Sequence, residues 1–186
     1  MQLHTDKKWS KPKNWFHRLF GGRERRSGLS KIKSYLHDHG IVYRIHHHPD
    51  IFSASELAES LHVIREAVAK VVIIRADRRY FMMVLPSNLH MNFHRLARLL
   101  KVGHVSLATE QELETLFPDC EVGAMPPFGN LYGLPVYVDV SLNQEPRIYF
   151  AAGTHRDVIE LRYEDFGRLV NPQVGVFAAR PMKRVA

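Results

Sequence analysis

Lys70 stands at the head of an apolar run, Ala69-Lys70-Val71-Val72-Ile73-Ile74. Such a run reads as a buried strand. An ammonium at its edge either snorkels to water or faces a polar cavity, because an unpaired buried charge is costly. A second segment bears on the choice. Gly123-Ala124-Met125-Pro126-Pro127-Phe128-Gly129 holds two Pro and two Gly in seven residues. Pro presets φ, and Gly lets backbone approach a ligand closely. The N–H groups of Gly123 and Ala124 are therefore candidate donors to a carbonyl or a developing oxyanion. An ordinary rigid turn has the same composition.

Other chemistry-bearing residues are weaker signals. His46-His47-His48 falls in a predicted strand, where neighbours point to opposite faces, so the run cannot give three ligands to one ion. His90 and His94 have i, i+4 spacing but lack the Glu of a zinc-protease helix. No metal and no cofactor is expected. Gly153-Thr154-His155 follows a predicted strand, which makes His155 a candidate proton carrier or polar gate. Cys120 lies between Asp119 and Glu121. Those carboxylates raise a thiol pKa, which argues against a nucleophilic cysteine. No phosphate-binding loop, dinucleotide fingerprint or nucleophile elbow is present.

The elements that must position these residues follow from periodicity and caps. Ser30 is expected to cap a helix from Lys31 to Gly40, and Ile41–His47 alternates as a strand. Ser53 and Glu56 form a predicted capping box, as do Thr109 and Glu112. Ala69–Arg75 and Tyr80–Leu85 read as a hairpin around Ala76-Asp77-Arg78-Arg79. Asn92–Lys101 reads as a helix with Phe93, Leu96, Leu99 and Leu100 inward. Strands are expected at Val136–Val140, Arg147–Ala151 and Val158–Leu161, with a closing helix at Tyr163–Val170. Helices and strands interleave around one hairpin, so the predicted class is α/β with a single mixed-sheet domain.

Composition sets the frame. The chain has 186 residues, a single cysteine and a net charge of +7. One cysteine excludes an internal disulfide framework and fits a reducing compartment. No apolar run reaches the ~20 residues that span a bilayer. A soluble, cytoplasmic protein without integral membrane association is expected. The charge is unevenly placed. Residues 1–30 hold eight Lys/Arg against two acids, residues 178–186 add three more, and 31–177 is slightly acidic. We therefore divide the chain into a basic arm (1–29), a body (30–177) and a short basic tail (178–186). The tails are the electrostatic handle for a polyanion.

Taken in order, the segments of the body resemble the YbaK/EbsC family, which is similar to the editing (insertion) domain of bacterial prolyl-tRNA synthetase. The likeness runs through His48-Pro49, Ser53-Ala54-Ser55-Glu56, Ala69-Lys70-Val71-Val72, Phe117-Pro118-Asp119-Cys120-Glu121-Val122-Gly123-Ala124-Met125-Pro126-Pro127-Phe128-Gly129, Gly153-Thr154-His155 and Asp165-Phe166-Gly167. The resemblance implies a partly closed central sheet flanked by helices. It also implies metal-free trans-editing, the hydrolysis of the ester on a mischarged tRNA. On this basis Lys70, Gly123 and Ala124 are the expected catalytic residues. Pro127, Phe128, His48, His155 and Gly153 are the expected substrate-binding residues. Expected partners are the 3′-terminal aminoacyl-adenosine of the tRNA and an aminoacyl-tRNA synthetase. A non-catalytic module binding the same partners is the alternative. The chain has Ala151 and Val158 where the cysteine-specific branch typically has Ser and Asp, which argues against a Cys-tRNA specialist.

Overall fold

The computed structural model describes residues 27–50 and 53–180. Residues 1–26 of the basic arm and the tail beyond Arg180 lie outside the described residues. In chain order the elements are α1 (Gly28–Asp38), β1 (Tyr43–His47), α2 (Ala54–Ser60), β2 (Ala69–Ala76), β3 (Arg79–Pro86), β4 (His90–Met91), α3 (Phe93–Leu100), β5 (Val105–Leu107), α4 (Glu110–Leu116), β6 (Val136–Asp139), β7 (Arg147–Ala151), β8 (Asp157–Arg162), α5 (Tyr163–Val170), β9 (Gln173–Gly175) and β10 (Ala178–Ala179).

Local chemistry explains most boundaries. The hydroxyl of Ser53 accepts from the Glu56 N–H at 3.1 Å, and Thr109 and Glu112 close a reciprocal capping box. Asn92 caps α3, and Lys101 ends it in the left-handed conformation. The hairpin turn is tighter than expected: Asp77 and Arg78 both have positive φ, 46° and 64°. That pattern belongs to a two-residue turn matching the twist of its strands. At α1 the cap is Ser27 rather than Ser30, and the helix starts at Gly28, inside the stretch assigned to the arm. Tertiary contact draws it forward: Gly28 is buried and its N–H donates to the Asp119 carbonyl at 2.6 Å.

Two sheets form the frame. The larger is mixed, ordered β5-β2-β3-β6-β9, with β2 antiparallel to β3 and β5, and β3, β6 and β9 parallel. The smaller is antiparallel, ordered β1-β8-β7. They meet at one corner, where Val68 bridges Tyr149 and the Tyr149 N–H donates to the Ala67 carbonyl at 3.0 Å. The sheet thus curls without closing into a barrel.

Side-chain alternation along β2 separates two cores. Ala69 and Ile73 face a large core with Met82, Val84, Phe117, Phe128, Phe150 and Phe166. Ile74 and Ala76 face a second one with Phe81, Met83, Leu85, Phe177 and Leu96 of α3. Lys70 shares the parity of Ile74 and so belongs to the α3 side of the sheet. Phe93, expected inward, is 40% exposed, because Leu96, Leu99 and Leu100 already fill the short helix's contact with the sheet. The two-residue pair β4–β10 and the short strands β5 and β9 have too little alternation to be read from sequence.

Candidate active site

A cavity of about 210 Å³ opens where the start of β2, the head of α2, the β7–β8 turn and the Gly123 loop converge. Its polar lining comprises His48, Ser53, Lys70, Thr154 and His155, with the backbone of Gly123. Its apolar lining comprises Leu57, Ala69, Val71, Met125, Ala151 and Val158. The cavity brings together Lys70, Gly123, His48 and His155 from the sequence-derived set.

Lys70 is half-buried, and its ammonium donates to the Leu89 carbonyl. Burial lowers its pKa below the ordinary 10.5. Among the described residues no Asp or Glu lines the cavity. The ammonium therefore has two further donors and no counter-charge within the wall.

His48 is set by its own loop. Its backbone N–H donates to the Arg156 carbonyl at 3.0 Å, and Arg156 grips the Asp50 carboxylate at 2.6 and 2.9 Å. Its ring Nδ1 lies 2.6 Å from the Pro49 carbonyl. A carbonyl only accepts, so Nδ1 carries the proton and Nε2 presents a lone pair in the neutral ring. That Nε2 is buried and has no hydrogen-bond partner among the described residues.

His155 is oriented from the opposite side. Its backbone N–H donates to the Glu121 carboxylate at 2.7 Å, and its Nε2 lies 3.0 Å from the Val122 carbonyl. Gly123 sits beside it with φ of +91°, a conformation that side chains rarely adopt. Among the described residues the Gly123 N–H meets only the Met125 sulfur, at 3.3 Å, a weak acceptor.

Four expected residues are not brought to the cavity. Ala124 is fully buried and its N–H already donates to the Glu121 carbonyl at 3.0 Å. Pro127 is buried behind the loop. Phe128 is fully buried, its ring 5.6 Å from Phe150 and 5.7 Å from Phe166. Gly153 is buried with φ of +97°, and a Cβ there would meet the Gly28 Cα at 2.9 Å. Its role is tethering: its N–H donates to the Ala124 carbonyl at 2.8 Å and its carbonyl accepts from Glu121 at 2.9 Å. These two bonds hold the Gly123 loop against the His155 turn.

Sequence reasoning missed Leu57, Met125 and Thr154 as wall residues and read Ser53 only as a cap. Ala151 and Val158, noted only as departures from the cysteine-specific branch, are cross-strand partners in the cavity wall. The histidine run disperses as its alternation requires: His46 pairs with Glu160 at 2.9 Å, and His47 pairs with Asp157 at 2.6 Å. Cys120 lies outside the cavity, its thiol pushed up to about 11 mainly by burial, with Asp119 adding to the rise.

Residues 48–169 match the aminoacyl-tRNA editing domain, and the chain belongs to that family. Among curated proteins it is 37% identical over 98 residues to a proline–tRNA ligase of Sulfurihydrogenibium sp.. It is 22% identical over 147 residues to a proline–tRNA ligase of Macrococcus caseolyticus. The chain spans only 16% and 26% of those two proteins. Among solved structures it is similar, with a TM-score of 0.73 and 19% identity, to a proposed trans-editing enzyme for prolyl tRNA synthetase. That likeness covers 82% of this chain and 97% of the other, and it establishes the fold.

Proposed function

We propose that the protein is an aminoacyl-tRNA deacylase, its body hydrolysing the ester between a wrongly attached amino acid and the 3′-terminal ribose of a tRNA. The observation that carries the reading is the half-buried Lys70 in the wall of a small cavity that no carboxylate lines among the described residues. Such a charge calls for an anionic ligand, and the 3′-terminal nucleotide of a tRNA supplies a phosphate. At about 210 Å³ the cavity falls below the ~300–1,000 Å³ of drug-sized sites. It admits an aminoacyl group with part of its ribose rather than a whole nucleotide.

The chemistry asks little of the protein. Water adds to the ester carbonyl, the carbon–oxygen bond to the ribose breaks, and the ribose oxygen takes a proton. An aminoacyl ester is already activated, so positioning and oxyanion stabilisation suffice. Lys70 anchors the terminal phosphate or ribose. The Gly123 N–H donates to the carbonyl oxygen as charge develops there. The lone pair of His48 Nε2 accepts from the attacking water or from the substrate ammonium, and His155 closes the polar side. The apolar wall with Ala151 and Val158 favours a small apolar side chain over a thiol or hydroxyl.

A panel of tRNAs mischarged with Ala, Ser, Thr, Cys and Pro tests this reading. The expected result is release of a small apolar amino acid at a rate that Lys70→Ala lowers at least tenfold. Release of Cys in preference to Ala and Pro would contradict the apolar wall. No release above the Lys70→Ala level on any of the five would overturn the activity, and binding without turnover would favour the non-catalytic module.

A further inference from the structure

Between Asp77 and Glu110 the chain has five Lys/Arg and no acid. Three of these, Arg95, Arg98 and Lys101, are exposed on or directly after α3, and His94 joins Arg98 and Lys101 at i, i+4, i+7 spacing. Several exposed arginines elsewhere are neutralised inside the fold: Arg75 by Glu112 at 2.9 Å, Arg147 by Glu160 at 3.0 Å, Arg156 by Asp50 at 2.6 Å and Arg168 by Asp165 at 3.0 Å, whereas Arg78 and Arg79 form only an isolated exposed pair at the β2–β3 turn. Among the described residues no carboxylate pairs with Arg95, Arg98, Lys101 or Arg180. The charge of α3 is thus left available on a body that is otherwise slightly acidic.

The topology ties this charge to the cavity. Lys70 lies on the α3 side of the larger sheet and donates to the carbonyl of Leu89, the residue before β4. β4 pairs antiparallel with β10 in the register Ala179 to His90, so the next residue, Arg180, runs back alongside Leu89. Arg95 donates to the Ala178 carbonyl at 3.0 Å, fixing α3 against the same strand. Past Arg180 the sequence continues with Lys183 and Arg184 and no acid. One basic tract therefore runs from Lys70 past Arg180 to Arg95, Arg98 and Lys101.

We propose that this tract, the exposed face of α3 with Arg180, is the docking surface for the double-stranded phosphate backbone of the tRNA whose 3′ end enters the cavity. The proposal rests on the deacylase reading for the position of that end. Cations at one-turn spacing match a row of phosphates, and each neutralised phosphate releases counterions. The surface supplies affinity and register without reading bases.

The test is tRNA binding by the full chain, using deacylated tRNA across a salt series. The triple variant Arg98→Gln, Lys101→Gln, Arg180→Gln is compared with Lys33→Gln, Arg78→Gln, Arg79→Gln, which removes equal charge elsewhere. The first variant should bind about tenfold more weakly near 0.1 M salt, with a salt slope shallower by about 0.9 for each phosphate it no longer neutralises. The second should bind like the parent. Equal weakening in both, or in neither, overturns the proposal. Weaker binding to phosphatidylserine vesicles with tRNA binding unchanged also overturns it, assigning the tract to a lipid surface. Hydrolysis of a short aminoacylated CCA oligonucleotide should be the same in the first variant and the parent. If the parent hydrolyses neither that oligonucleotide nor any of the five mischarged tRNAs, the deacylase reading falls while the docking result stands.

Discussion

At the scale of single residues, Lys70 carries a conflict between stability and use. Its ammonium is half-buried without a counter-charge, and burial depresses its pKa. On the proposed deacylase reading, the charged form is the one that anchors an anion. Activity should therefore fall as pH rises through the lowered pKa, earlier than an ordinary lysine at 10.5 would allow. The sign for stability is the opposite. The folded state disfavours the charged form, so the cost is present in full below the folded pKa and disappears as pH rises from there through the ordinary 10.5. Lys70→Met should abolish deacylation while leaving Tm unchanged or higher by ~2–4 °C. A clear fall in Tm would mean that the bond to Leu89 outweighs the desolvation.

At the same scale the structure separates the sequence-derived residues by place. Lys70, His48, His155 and Gly123 meet in one cavity. Phe128 and Pro127, drawn from the same loop as Gly123, turn into the core. Strands and helices have a period that tells inward from outward, but a Gly/Pro loop has none, so composition could not assign its faces. Met125 is the loop side chain that reaches the cavity, and nothing in the sequence distinguishes it from its neighbours.

At the scale of elements, the site is a clasp between two turns. The Gly123 loop and the Gly153–His155 turn are joined by the two backbone bonds of Gly153, and Gly28 at the start of α1 closes in behind. Gly153→Ala violates both the backbone conformation and the available space. It should cost about 1–3 kcal/mol of strain or more and lower kcat/KM at least tenfold, because His155 and Gly123 lose their common register. Circular dichroism with steady-state deacylation checks this, and a variant folded with unchanged kinetics would refute it. The alternating strands β2, β3, β7 and β8 were legible because they are long. β4 and β10 were not, since a two-residue ladder depends on tertiary contacts rather than local pattern.

At the scale of the whole molecule, Asp139 fastens the end of the described chain to the large sheet. It is 3% exposed, and its carboxylate accepts from the N–H groups of Phe177 and Ala178 at 2.9 and 2.7 Å and from Ser141. Burial pushes its pKa up, but these hydrogen bonds outweigh burial and leave it lowered. A depressed carboxylate pKa contributes stability above the unfolded value of 3.8, lost as pH falls through the folded value. Asp139→Asn should cost about 1.5–3 kcal/mol at neutral pH. The gap in Tm between variant and parent should shrink as pH falls below about 4. A gap constant down to about pH 2 would show that the carboxylate charge contributes nothing.

The near-contact of Gly28 with Gly153 has a kinetic consequence. It joins residues more than a hundred positions apart, and the Gly123 loop leans on it. Closing so long a loop is among the last events expected in folding, because its entropy must be met before the contact forms. The cavity is therefore complete only when α1 has docked. In native-state hydrogen exchange the amides of Glu121 and Gly153 should open together with those at the head of α1. Catalytic competence would then mark the finished fold.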